Sequence, residues 1–121
     1  MRYLVLLALL SSCAPTFTQG TEPRDDNLIF RTVPADNYMA LEIDAGSSPI
    51  RNAVLELKGT NLRYNEPRCR INDLTAICDL GSLLRYKMAF KGLLDRDKTV
   101  LTYYRADGQL YRRTLADTTR L

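Results

Sequence analysis

Histidine and tryptophan are both missing from this 121-residue chain. Without histidine there is no imidazole acid–base chemistry, no Ser-His-Asp or Cys-His triad, and almost none of the common zinc sites. No GxGxxG, P-loop, GxSxG, HExxH or EF-hand pattern occurs either. Apolar runs are short. The longest, Leu4 to Leu10, would extend about 10 Å as a helix, a third of a bilayer's hydrocarbon core, so it is no transmembrane anchor. Excess charge is small: Lys+Arg 17 against Asp+Glu 14 gives +3, too little for an electrostatic attraction to nucleic acid. What remains is ordinary globular material, 45% hydrophobic and 26% charged, enough for one small domain and not two.

The amino terminus carries the strongest pattern. Arg2 supplies a positive charge, Leu4-Val5-Leu6-Leu7-Ala8-Leu9-Leu10 an apolar segment, and Ser11-Ser12 small residues before Cys13. That is the layout of a secretory leader. Leu10-Ser11-Ser12-Cys13 resembles the lipobox of bacterial lipoproteins, whose pattern is Leu, small, small, Cys. The resemblance implies that Cys13 takes a diacylglyceryl thioether and becomes the new N-terminus. A thiol is needed as the alkylated nucleophile, and several acyl chains suffice for stable anchoring. Two other readings are a conventional leader cut near Gly20 and a first strand of a cytosolic protein. Ala14 stands where enteric lipoproteins held in the inner membrane carry Asp, which favours the outer membrane over the inner one.

Residues 1–12 are therefore expected to be a leader and residues 13–26 a lipidated start and flexible tether. Two Pro, one Gly and a single large apolar residue between Ala14 and Asp26 leave little to bury. From Asn27 the apolar period is two. Met39, Leu41 and Ile43 face one way with Glu42 and Asp44 opposite, Ala53, Leu55 and Leu57 share one face, and later Tyr86, Met88 and Phe90 lie opposite Lys87 and Lys91. Gly59-Thr60-Asn61 breaks one such run, with Leu62-Arg63-Tyr64 as a short extension. Asp107-Gly108 suits a type I′ turn joining strands within Val100 to Leu115. A helix over Leu80 to Leu94 fits the spacing of Leu80, Leu83, Leu84 and Met88, but Gly81 and the following alternation favour strand. The expected fold is all-β: a small antiparallel β-sandwich of about seven strands over residues 27–115, with a C-terminal tail at 116–121.

Lipidation of Cys13 leaves Cys69 and Cys78 as an even pair, as an oxidising compartment favours. A turn near Asn72-Asp73 would set the two thiols opposite each other as a structural disulfide. A redox pair or half of a metal site are the alternatives; the spacing is wide for the first, and no third thiol or His completes the second. The run Cys69…Ala76-Ile77-Cys78-Asp79-Leu80-Gly81-Ser82-Leu83 is similar to the signature of DUF11-type bacterial surface repeats. That resemblance implies an immunoglobulin-like domain, non-catalytic and structural or adhesive, with Leu-Gly-x-Leu turning into the next strand. Cys69, Cys78, Leu80, Gly81 and Leu83 are its framework.

Functional expectations are correspondingly coarse. The first is an envelope-anchored lipoprotein, bound to the membrane through Cys13 and to a protein partner in a cell-surface or trans-envelope assembly, without cofactor, metal or nucleic acid. The second is a solitary periplasmic ligand binder or inhibitor. It would use a Tyr/Arg face on the last hairpin, formed by Tyr103, Arg105, Tyr111 and Arg113 with Arg112 nearby. Cross-hairpin aromatic pairing that merely stabilises the sheet explains the same residues. Asp25-Asp26 and Asp95-Arg96-Asp97 place carboxylates together, and solvated turns account for both better than calcium or a glycosidase pair. No nucleophile–base pair for a small hydrolase is legible.

Overall fold

A computed structural model describes residues 25–72 and 75–116. The leader, Cys13 and most of the proposed tether lie outside the described residues, as does the tail beyond 116. Eight strands follow one another: β1 (Ile29–Pro34), β2 (Met39–Asp44), β3 (Ile50–Tyr64), β4 (Cys69–Asn72), β5 (Thr75–Leu83), β6 (Arg85–Leu94), β7 (Val100–Tyr104) and β8 (Leu110–Thr114). The runs of alternating apolar residues become strands because period two is the period of a pleat with one face buried. Leu41, Ile43, Leu55, Leu57, Met88 and Phe90 all enter the core as the alternation requires.

Every pairing is antiparallel, and the hydrogen-bonded path runs β1-β2-β6-β3-β5-β4, with β7 on β3 and β8 on β7. The fold is thus all-β and antiparallel with one disulfide, as expected. Among the described residues it has eight strands rather than about seven, and they form one sheet joined through β3. The segment from Leu80 to Leu94 is strand, not helix.

β3 is the spine, 15 residues long. Its first part pairs with β5 and β7, its last part with β6. If straight, it would hold Ile50 and Tyr64 about 46 Å apart. Yet Ile50 pairs with Leu83 and Tyr64 with Phe90, and the chain between Leu83 and Phe90 reaches at most about 25 Å. Adding about 5 Å for each pairing still falls short, so β3 must bend. The bends are visible as breaks in register, at Ile50–Ala53 and at Thr60–Arg63. Asn52 (φ 50°) and Asn61 (φ 55°) take left-handed conformations there, close in register to Gly81 (φ 68°) and Gly92 (φ 106°) on the neighbouring strands. These are β-bulges, each inserting an unpaired residue that twists the strand.

Three local expectations change accordingly. Gly59-Thr60-Asn61 does not end the strand; it bulges within it. Leu80-Gly81-Ser82-Leu83 does not make a turn; it lies inside β5 with Gly81 opposite Ala53. The last hairpin closes through a three-residue loop, Ala106-Asp107-Gly108, in which only Gly108 has positive φ (79°). That is a type I turn followed by a left-handed residue, not type I′.

Candidate functional site

Tyr103, Arg105, Tyr111 and Arg113 do share one face of the β7–β8 hairpin, because positions two apart on each strand repeat the same side and Tyr103 pairs with Tyr111. The face is the inner one. Tyr103 is fully buried, and its ring stacks on Tyr111 with centroids 5.5 Å apart. The expected ligand-binding face is therefore corrected: its central aromatic belongs to the core, and its cations are engaged within the fold.

They converge on Asp25, a residue assigned from sequence to the tether. Its side chain is only 7% exposed. Its Oδ2 accepts the Tyr103 hydroxyl at 2.8 Å and Arg105 Nε at 2.7 Å, while Oδ1 accepts the Asn27 N–H at 3.2 Å. Arg105 also donates to the Ala45 and Ser48 carbonyls, and Arg113 Nη1 donates to the carbonyls of Asp25 and Leu28. Burial pushes the Asp25 carboxyl up, but the hydrogen bonds from Arg105 and Tyr103, with the Arg105 charge, outweigh it and hold its pKa below 3.8. The same burial and carboxylate push the Tyr103 phenol well above its usual 10. Chemically this is a clasp: a buried ion pair whose donors and acceptors are satisfied by neighbours. The solvated-turn expectation fails for Asp25.

A second acidic group is held in the same way. Glu66, on the loop after β3, accepts Arg68 Nε at 3.0 Å and the Tyr86 hydroxyl at 2.7 Å, and the Arg68 guanidinium lies 5.5 Å from the Tyr86 ring centre. These bonds lower its pKa to about 2. On the outer face of the sheet, Glu42 pairs with Arg31 and Lys87, and Asp44 with Arg85, in cross-strand rows set by the β1–β2–β6 register. Asp95-Arg96-Asp97 falls in the β6–β7 loop, where the turn reading placed it. Arg96 reaches Thr32 Oγ1 and the Leu115 carbonyl, tying the end of the fold to β1.

Cys69 and Cys78 form the disulfide, facing each other in the β4–β5 register with Cα atoms 3.8 Å apart. Cys78 is fully buried and part of the core. Among the described residues no three His, Cys, Asp or Glu side chains gather where they could hold a metal ion, and no helix is long and apolar enough to cross a membrane. No family model, curated protein or solved structure matches the chain.

The anchoring role of Asp25 is not legible in the sequence. Asp25 lies 78 positions before Tyr103, and no local pattern links one of two adjacent carboxylates at the end of a Pro-containing stretch to a hairpin so far away.

Proposed function

We propose that the chain is an envelope-anchored lipoprotein whose all-β domain is a non-catalytic structural or protein-binding module in a cell-surface or trans-envelope assembly. Cys13 is its lipid attachment point, on the outer membrane rather than the inner one. The observation that carries the reading is the Cys69–Cys78 disulfide, because such bonds persist in oxidising compartments outside the cytosol. It agrees with the secretory layout of Met1 to Cys13. The inhibitor-like alternative loses its support, since Tyr103, Arg105 and Arg113 are engaged with Asp25.

Metabolic labelling with a palmitate analogue tests the anchor. Label should enter the wild-type chain and not Cys13→Ser; equal labelling of both refutes it. Copurification from detergent-extracted envelope at native expression tests the assembly, and recovery of the lipoprotein alone refutes that part separately.

A further inference from the structure

β6 changes partner partway along its length. Through Phe90 it pairs with β2, the last pair being Met39 with Phe90; from Phe90 onward it pairs with β3, through Tyr64–Phe90 and Arg63–Lys91. The Gly92 bulge (φ 106°) steers it away, and a side chain there would strike the Asn61 carbonyl oxygen. Meanwhile the β1–β2 hairpin continues past the last β2–β6 pair, closed by the Ala35 N–H donating to the Tyr38 carbonyl at 2.9 Å. Two elements that part company leave a recess between them. It is shallow and wide open to solvent, about 500 Å³ in volume.

The lining is chemically mixed. Met39 and the nearly fully buried Phe90 supply its apolar lining, Tyr38 is 44% exposed, and Asp36, Asn37 and Lys91 bring a carboxylate, a carboxamide and an ammonium. Among the described residues, no hydrogen bond or ion pair engages the side chains of Asp36, Asn37, Tyr38 or Lys91. The contrast with the molecule's other recess is plain. That one, about 310 Å³ across the β2–β6 outer face, is lined by Glu42, Asp44, Arg85 and Lys87, which already pair with one another or with Arg31, and by Tyr86, whose hydroxyl is given to Glu66.

We propose that the recess between the β1–β2 hairpin and the Gly92 bulge is a saccharide-binding site. A sugar ring offers an apolar C–H face, which suits an exposed tyrosine ring, and hydroxyls around its edge that both donate and accept. A carboxylate and a carboxamide on adjacent residues accept and donate to neighbouring hydroxyls, and an ammonium donates to a third. An open recess of this kind holds one or two sugar units, at a Kd on the order of 1 mM or tighter.

The test uses the full chain in micelles of a detergent without a sugar headgroup, titrated with maltotetraose, cellotetraose and chitotetraose while amide chemical shifts are followed. At least one oligosaccharide should shift residues 35–39 and 90–92 and leave the β7–β8 hairpin unmoved. Tyr38→Ala and Asp36→Ala should each weaken that binding by about tenfold or more. Tyr104→Ala removes a similarly exposed tyrosine elsewhere (38% exposed) and should leave it intact. No shifts with any of the three at about 10 mM, shifts confined to another surface, or binding unaltered by Tyr38→Ala would each overturn the proposal. None of these outcomes depends on lipid at Cys13, so site and anchor stand or fall separately.

Discussion

The Asp25 carboxylate takes the Tyr103 hydroxyl and Arg105 Nε, for which no other acceptor is present among the described residues, while the Arg105 Nη atoms keep the Ala45 and Ser48 carbonyls. Replacing Asp25 with Ala leaves the Arg105 charge buried, with 10% of its side chain exposed, and strands the Tyr103 hydroxyl in the core. Breaking one partner of a buried ion pair costs about 3–5 kcal/mol, against about 1–2 for losing a neutral hydrogen bond. Urea unfolding should therefore show a midpoint far lower for Asp25→Ala than for Tyr103→Phe, which removes only the phenol donor. Acid sensitivity follows from the same group and from Glu66. Both carboxyls have folded pKa values below the unfolded ones, so each stabilises the fold fully above the unfolded value and loses that contribution as pH falls through the folded one. For Glu66 the window runs from 4.5 down to about 2. Urea midpoints measured across that interval should fall less steeply in Glu66→Gln than in the wild type. The tyrosines act in the opposite direction: Tyr86 and Tyr103 are held above 10 in the fold, so stability should decline once pH exceeds about 10, where unfolded tyrosine ionises.

At the scale of the strand, the bulges decide whether one sheet can wrap around a single core. Gly59 and Gly92 sit where a side chain would run into the Leu93 and Asn61 carbonyl oxygens, which are backbone and cannot swing aside. Gly81, by contrast, has open space around it and only a left-handed φ of 68° to keep it glycine. Gly81→Ala should lower stability by about 1 kcal/mol, measured as a shift in thermal midpoint. Gly92→Ala and Gly59→Ala should lower it by several kcal/mol or prevent folding. Strand positions were legible in the sequence because alternation at Met39–Ile43, Ala53–Leu57 and Tyr86–Phe90 has a direct physical cause in the pleat. The bulges were not. Asn61 and Gly81 look like strand breakers and turn residues, and only the partner strand turns a break into a bulge. The same holds for the Tyr/Arg hairpin. Its shared face could be counted from spacing two, but spacing did not reveal that Asp25, far away in sequence, would take up its tyrosine hydroxyl and arginine.

For the molecule as a whole, the disulfide carries weight because the core is small. It closes a loop with a sequence separation of 9, and a loop of that length is worth roughly 2–3 kcal/mol on the chain-entropy account. A domain of this size has about 5–10 kcal/mol in total. Cys69→Ala with Cys78→Ala should remain folded at 25 °C and melt at least about 8 °C lower by circular dichroism. The cysteine pair was readable from the sequence as a hairpin clamp. The fastening of the first residues of the fold, through Arg113 to the Leu28 carbonyl and Arg96 to Thr32, was not, because these are single side chains from β8 and from the β6–β7 loop reaching residues far away in sequence.

The Asp25 clasp also sets an order in time. Asp25 is the earliest residue of the described structure, and its partners come 78, 80 and 88 residues later. A chain made from its N-terminus has exposed Asp25 long before β8 exists to receive it. Until Tyr103, Arg105 and Arg113 arrive, the Asp25 carboxylate and the carbonyls of Asp25 and Leu28 have no donors from the hairpin. Completion of the fold is thereby tied to completion of the last hairpin: Asp25, made early, is secured late.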